Sequence, residues 1–199
     1  MKRLKPDLPP RERILQAARE LFYRHGINAV SVDAIAAAAD TNKMTLYRHF
    51  ASKDALIAAY LGELAAEGEE IWGAARAAHP GDAQAQLRFL MQRVSQFAAE
   101  STGRGCALAN AAVELAERKH PARKVVEAHK RSQCDRLIAL CREAGYAKPE
   151  QVADELFLLV EGARSSLQSV GPEGPGARLY ALAERLLDAA PKRKKLKTA

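Results

Sequence analysis

The chain contains 199 residues, and its 48% hydrophobic and 28% charged residues are typical of a globular protein. Its formal net charge of +7 and its sequence pI near 9.4 favour an anionic partner, either nucleic acid or an acidic membrane surface. No apolar run has the length of a membrane span, and no apolar segment follows the basic N-terminal residues, so we expect no transmembrane helix and no secretory signal.

The chain is predicted to be helical throughout, because glycine and proline cluster at boundaries and no stretch alternates like a β-strand. Ser31, Asn42 and Ser52 stand where N-caps are expected. The predicted fold class is therefore all-α, with about nine helices. They cover about 10–25, 32–39, 42–49, 53–78, 83–100, 106–119, 121–144, 149–170 and 177–189.

The positive charge is concentrated at the two ends of the chain. Residues 1–54 carry a net charge of +4 and residues 191–199 a net charge of +5, which leaves −2 for residues 55–190. This division predicts an anion-binding module at 1–54, a body with another role at 55–190, and a disordered basic tail at 191–199. The tail could add non-specific affinity for DNA, or it could be a solubilising end.

Residues 31–56 have the pattern of a helix-turn-helix, in which two short helices are joined by a short break. Apolar residues of both helices fall on one inward side. The outward side of the second helix carries a cation and hydroxyl groups that suit phosphates and base edges, so we predict that this helix enters the DNA major groove. Its outward residues are Lys43, Met44, Thr45, Arg48 and His49. The alternative is a solvated helix whose polarity is incidental.

The segment SVDAIAAAADTNKMTLYRHFASKDAL resembles the DNA-binding signature of the TetR family of bacterial transcriptional repressors. The shared positions include the Ser31 cap, Ile35 and Ala36, and residues 45–47. Phe50, Ser52, Lys53, Asp54 and Leu56 also fit the signature. The resemblance implies an N-terminal three-helix helix-turn-helix domain and a C-terminal helical ligand-binding and dimerisation domain. It further implies a cytoplasmic homodimer that represses transcription, binds a near-palindromic double-stranded DNA operator, and is released by a small-molecule effector.

The resemblance also implies roles for individual residues at the DNA. Phosphate contacts are expected from Ser31, Thr41, Tyr47, His49 and Lys53. Positions in or beside the major groove are expected for Lys43, Met44, Thr45 and Arg48. Three residues depart from the family pattern: Asp40 stands at a turn position that is usually Gly, Ala51 at one that is usually Pro, and Met44 at one that is often Gly. Asp tolerates the left-handed conformation, so we expect the turn to survive.

In the family, the body forms the dimer and binds the effector. The last two helices resemble the pair that packs as a four-helix bundle between subunits, although their apolar stripe could instead pack within one chain. The residues predicted at the dimer interface are Leu156, Leu159, Val160, Ala163, Leu167, Leu179, Leu182 and Leu186. The residues predicted at the effector pocket, each of which could equally belong to the core, are Trp72, Phe89, Met91, Phe97, Cys106, Asn110, Phe157 and Glu161.

Cys106 supports a second hypothesis, a repressor that senses electrophiles or oxidants. It lies in a segment similar to a Gly-Cys…Asn segment of many family members, and in some of those members the cysteine has that role. The predicted helix N-terminus favours a thiolate there, and Arg104 would act in the same direction. The alternative is a small residue packed at a helix start. Cys134 and Cys141, about 10.5 Å apart along one helix, are too far apart for a disulfide, and we predict that they belong to the core.

The sequence is also compared with what an enzyme and a DNA-packaging protein would require. An enzyme would have to use Cys106 with His120 or His129, and no P-loop, GxSxG, HExxH or GxGxxG motif occurs, so we expect no enzymatic activity, cofactor or metal. A DNA-packaging protein would explain the basic tail, but it would bind DNA without sequence preference.

Overall fold

The computed structural model describes residues 8–100 and 105–193, with no side-chain description for 98–100. These residues form nine α-helices and one 3₁₀ turn, so the all-α prediction is confirmed. The helices are α1 (Pro10–His25), α2 (Val32–Ala38), α3 (Lys43–His49), α4 (Lys53–Ala78), α5 (Ala83–Glu100), α6 (Ala107–Glu114), α7 (Pro121–Glu143), α8 (Pro149–Ser169) and α9 (Leu179–Ala189). Within the described ranges, none of them is long and apolar enough to cross a membrane.

Three side chains define where the helices around the helix-turn-helix begin. Ser31 Oγ, Asn42 Oδ1 and Ser52 Oγ each accept a hydrogen bond from the backbone N–H three residues later, at 3.1, 2.8 and 3.0 Å. Each bond satisfies one of the donors that the first turn of a helix leaves unpaired. All three predicted N-caps are therefore confirmed.

The first compact unit contains the described residues of Met1–Glu67 and Cys106–His129. Its core joins α1, α2 and α3 to the first half of α4 and to α6. The rings of Phe22 and Tyr60 lie 5.6 Å apart between centroids within it. Because α2 and α3 are short, tertiary packing rather than helix propensity stabilises them. Their buried residues in this core are Ile35, Ala36, Leu46 and, at the ends of the two helices, Ala39 and Phe50.

The second compact unit contains the described residues of Gly68–Gly105 and Lys130–Ala199. It joins α5, α8 and α9 to the remaining parts of α4 and α7, and the 3₁₀ turn Pro175–Arg178 packs on α8. A Cβ at Gly176 would lie 2.6 Å from the carbonyl oxygen of Ala163, so only glycine allows this close approach. The largest fully buried side chains of this core are Leu87, Tyr146, Leu156, Leu179 and Leu187.

The packing units divide the chain differently from the predicted boundary between 1–54 and 55–190. Leu56, Ile57 and Leu61 of α4 are buried in the core of the first unit, and so are residues of α6. The N-terminal helices therefore complete their core with later parts of the chain. The predicted functional division at residue 54 stays a prediction.

Two predicted helices differ in length from the observed ones. α6 ends at Glu114 rather than near 119, because the Arg123 guanidinium donates hydrogen bonds to the carbonyl oxygens of Ala112 and Leu115 and so satisfies acceptors at the helix end. The last helix begins at Leu179 rather than 177, after the 3₁₀ turn that Pro175 starts.

The first residues of the predicted disordered tail are ordered, which corrects the prediction for 191–193. Pro191 accepts a hydrogen bond from the Ala147 N–H at 2.8 Å, and the Arg193 N–H donates to the Gly145 carbonyl at 2.8 Å. Lys192 Nζ lies 3.2 Å from the centroid of the Tyr146 ring, a cation–π contact. Residues 194–199, like Arg104, lie outside the described residues.

Candidate nucleic-acid interface and effector site

The turn between α2 and α3 is held by the backbone and by Arg13 of α1. Asp40 adopts the left-handed conformation with φ 49°, as expected for the residue that replaces the family's glycine. Arg13 Nε donates to the carbonyl oxygen of Ala39 at 3.1 Å, and its Nη2 donates to that of Asp40 at 3.3 Å. These bonds fix the start of α3 relative to α1. Sequence analysis missed Arg13, because a bond between residues 26 positions apart leaves no local pattern.

One face of α3 is open to solvent. Leu46 is fully buried and Thr45 is half-buried, so the face of α3 that carries them packs against the core. The opposite face remains available to a binding partner. The exposed residues are Lys43, Met44, Tyr47, Arg48 and His49. Met44 has 73% of its surface exposed, which is high for an apolar side chain. Among the described residues, Tyr47, Arg48 and His49 have no hydrogen-bond or ion-pair partner, so their polar groups are available to DNA.

Three of the predicted phosphate-contacting or groove residues already have partners within the chain. Lys43 Nζ lies 3.5 Å from Asp33 Oδ2, and such an exposed pair is weak enough to exchange for a phosphate. Ser31 Oγ accepts the capping bond but keeps its hydroxyl hydrogen for donation. Lys53 Nζ donates to the carbonyl oxygen of Ile27 at 2.8 Å, so this lysine positions the loop between α1 and α2. The predicted contact of Lys53 with phosphate stays a prediction.

Glu114, the last residue of α6, holds the same loop from a second side. Its Oε2 accepts hydrogen bonds from the backbone N–H groups of Ile27 at 2.6 Å and Asn28 at 3.1 Å. Gly26 has φ 86°, and a Cβ there would lie 2.9 Å from Glu114 Oε2, so this position requires glycine. Sequence analysis missed Glu114, because its partners lie 86 and 87 residues away.

The second unit contains a cavity that is partly open to solvent, and its empty space is about 440 Å³ when the adjoining open solvent is included. It is lined by residues of α4, α5, α7 and α8. Four predicted pocket residues contribute to the wall: Trp72, Met91, Phe157 and Glu161. The other lining residues are Ile71, Leu90, Val94, Gln133, Leu137, Val160 and Arg164. An apolar wall with a few polar groups is typical of small-molecule sites.

The other four predicted pocket residues do not line this cavity. Phe89 packs against the core and forms an edge-to-face pair with His79, at 5.8 Å between centroids, and Phe97 has 58% of its surface exposed. Cys106 and Asn110 belong to the first unit. Aromatic residues of the core, of a cavity wall and of the surface occur in similar sequence patterns. The sequence therefore could not show which of these places Phe89 and Phe97 occupy.

Five of the eight predicted dimer residues are buried in the chain's own core, which corrects the prediction for Leu156, Val160, Ala163, Leu167 and Leu179. The alternative interpretation, a stripe packed within the chain, holds for them. Leu159 and Leu186 are half-buried at the edge of that core, and Leu182 is exposed. Another face of α8 exposes Leu158 and Gly162 to solvent.

Comparisons with known proteins agree with this architecture. Residues 14–60 match the family described as "Bacterial regulatory proteins, tetR family". A 53-residue stretch is 47% identical to the HTH-type transcriptional regulator UidR of Escherichia coli K12, and the match covers 27% of this chain and 27% of that relative.

Many solved structures match over nearly the whole chain, among them two from Streptomyces species. The structure of a TetR-family transcriptional regulator from Streptomyces coelicolor is 31% identical, with a TM-score of 0.86, and the match covers 92% of this chain and 96% of that one. The structure of a TetR-type transcriptional regulator from Streptomyces avermitilis is 29% identical, with a TM-score of 0.81, over 94% of this chain and all of the other.

A helix-turn-helix with an exposed second helix, followed by further helices that enclose a cavity, defines a DNA-binding transcriptional regulator. The chain belongs to the TetR family.

Proposed function

We propose that the protein is a repressor that binds a near-palindromic operator as a homodimer and leaves it when a small molecule binds the cavity. The observation that carries the proposal is the open face of α3, held in place by the caps and by Arg13. A two-fold dimer reads two half-sites, so its operator has matching symmetry. The proposal includes no enzymatic step, and such a regulator works in the cytoplasm, where the bacterial chromosome lies.

The exposed residues of α3 fall into two groups, those that suit base edges and those that suit phosphates. We assign base-edge contacts to Arg48 and to Met44, because a guanidinium can bind guanine bidentately and an exposed apolar side chain can contact the methyl group of thymine. Tyr47 and His49 are assigned to phosphates, where they fix register without reading sequence. Thr45 and Lys43 lie at the start of the same helix, where both kinds of contact are within reach.

The second copy is proposed to cover the exposed faces of α8 and α9. Leu158 and Leu182 expose apolar surface there, and Gly162 allows close approach of another helix. The sequence predicted that the apolar stripe of these two helices forms the interface, but most of that stripe is buried within the chain. The proposed interface therefore uses the residues of the same two helices that face the solvent.

The effector is proposed to act through α4. This single helix, Lys53–Ala78, carries Lys53, which holds the loop before α2, and Trp72, which lines the cavity. A ligand that favours one position of α4 would shift the population toward a form with different spacing of the two α3 helices. Loss of register on the half-sites then releases the operator, a coupling of two sites through one element.

A second candidate trigger is oxidation or alkylation of Cys106. This half-buried cysteine stands at the N-cap of α6, and Glu114 at the other end of α6 holds the loop before the helix-turn-helix. A bulky adduct at Cys106 would displace α6 and loosen that loop. The Cys106→Ser variant separates the two candidates, because it should lose an oxidant response and keep a response to a cavity ligand.

Selection of bound duplexes from a random pool tests the proposed function. The full chain should enrich a near-palindromic motif with two half-sites. The matched control is a Tyr47→Ala, Arg48→Ala double variant, which should keep its helical circular dichroism spectrum and enrich no such motif. A pool that shows no enrichment with the native chain would instead indicate non-specific packaging of DNA.

A further inference from the structure

We propose that the cavity of the second unit takes an organic anion: an aromatic or other apolar body that carries one carboxylate or comparable acidic group. The inference rests on the proposed function, since it assumes that the effector occupies this cavity. It concerns the chemical class of the ligand, which neither the fold nor the relatives define.

The apolar part of the wall defines the body of the ligand. Trp72 and Phe157 present aromatic rings, and Met91 adds a flexible thioether that adapts to irregular shapes. Ile71, Leu90, Val94, Leu137 and Val160 complete this part of the wall. A ligand that leaves water for such a surface gains from the hydrophobic effect in proportion to its apolar area.

The wall itself carries one charge of each sign, Glu161 and Arg164, and Lys130, which does not line the cavity but binds Glu161, adds a second positive charge next to it. Glu161 is the single carboxylate among the lining residues, and its Oε1 accepts hydrogen bonds from Lys130 Nζ at 2.6 Å and from Arg164 Nη1 at 3.1 Å. Two cations therefore share one carboxylate. Lys130 Nζ also lies 5.7 Å from the ring centroid of Phe157, which keeps its charge beside the apolar wall.

The wall also offers more unused hydrogen-bond donors than acceptors. Arg164 has five N–H donors and uses one on Glu161. The Gln133 amide lines the cavity and has no hydrogen-bond partner in the described part of the chain. A carboxylate at this end would accept charge-assisted bonds from Arg164 and a further bond from Gln133, whereas an ammonium group would compete with Lys130 and Arg164 for the single carboxylate of Glu161.

Two fluorescent probes that share a ring system but differ in charge test whether the cavity prefers an anion. 8-Anilino-1-naphthalenesulfonate is an anion, and N-phenyl-1-naphthylamine is the same ring system without the sulfonate. Trp72 is the single tryptophan of the chain and lines the cavity, so energy transfer from Trp72 reports binding near it. Because Trp72 also borders a second cavity, variants of Arg164 and Arg76 show which of the two cavities the probe occupies. Titration of the full chain with each probe, in the absence of DNA, gives two dissociation constants per variant.

Arg164→Met should weaken binding of the sulfonate about tenfold and change binding of the neutral probe less than about threefold. The matched control is Arg76→Met, which removes the same charge from a second cavity that Trp72 also borders. It should leave both constants within about twofold. Equal weakening of both probes by Arg164→Met, or loss of sulfonate binding with Arg76→Met, would overturn the proposal.

Glu161→Gln gives a second test, in which affinity for the anionic probe should rise instead of fall. It removes the carboxylate that occupies Lys130 and Arg164, so the sulfonate should bind about three- to tenfold more tightly while the neutral probe is unaffected. A site for cations predicts no gain for the sulfonate, and that result would contradict the proposal. Because these titrations contain no DNA, they can fail while the selection of operator sequences succeeds, which separates this inference from the proposed function.

Discussion

The Glu114 carboxylate accepts a hydrogen bond from the backbone N–H of Ile27 at 2.6 Å, while the Ile27 carbonyl accepts one from Lys53 Nζ at 2.8 Å. The backbone N–H and C=O groups of Ile27 are thus bound by side chains of two helices, α6 and α4. The loop between α1 and α2, on which the helix-turn-helix depends, is therefore fixed from both sides.

Truncation of Glu114 should destabilise the protein. Glu114→Ala leaves the N–H groups of Ile27 and Asn28 without their acceptor, and we expect the free energy of unfolding to fall by about 1.5–3 kcal/mol. Urea unfolding followed by circular dichroism measures the change. Glu117→Ala removes an equal charge from an exposed residue just after α6 and should stay within about 0.5 kcal/mol of the native chain. Similar losses for both variants would show that the charge, rather than the bonds to the loop, matters.

Arg48→Ala should relax sequence preference at one operator position in each half-site. The arginine is exposed on α3 and has no partner among the described residues, so its removal should leave the fold intact. We expect a loss of about 1–3 kcal/mol in binding to the selected operator and a smaller loss on operators mutated at the contacted base. Arg118→Ala, the same change outside the helix-turn-helix, is the control. A uniform loss on all duplexes would assign Arg48 to phosphate instead.

Leu158→Glu should convert the proposed dimer to a folded monomer. The side chain is 68% exposed on α8, so a charge there costs little within one chain but cannot be paired in an apolar interface. Sedimentation velocity reports the change in mass, and circular dichroism reports the retained fold. Val113→Glu makes the same change on α6, where the valine is 83% exposed, and should leave the dimer intact. A dimer that survives Leu158→Glu would exclude this face of α8.

Cys141 should make the protein less stable at alkaline pH. The thiol is fully buried, and burial raises its pKa from the ordinary 9.0 to about 12. The folded chain thus keeps a proton that the unfolded chain releases, so the stabilisation is complete below pH 9 and is lost as the pH rises toward 12. Between about pH 9 and 11, the free energy of unfolding should fall more steeply for the native chain than for Cys141→Ala, by at most about 1.4 kcal/mol per pH unit. Parallel slopes would contradict the assignment.

Local chemistry accounts for the features that could be predicted from the sequence. Ser31, Asn42 and Ser52 cap helices through bonds that span three residues, and Asp40 adopts a conformation that its own side chain tolerates. Interactions of this range depend on neighbouring residue types, so the sequence displays them directly. The helix-turn-helix is built from them, which is why its bounds were predicted to within about a residue.

Long-range contacts account for what could not be predicted. Arg13 and Glu114 act on backbone groups far away in sequence, and Arg123 ends α6 early through the Leu115 carbonyl. The apolar stripe of α8 posed a different difficulty. Leu156 and Leu158 are both leucines on one helix, and only the packed chain shows that the first is buried while the second is exposed.

The central claim is sequence-specific reading of DNA by α3. Its most direct test is the affinity of the full chain for the selected operator and for a shuffled duplex of the same composition, measured in parallel at physiological salt. We predict that the operator binds at least about 10³-fold more tightly. Equal affinities for the two duplexes would contradict the account.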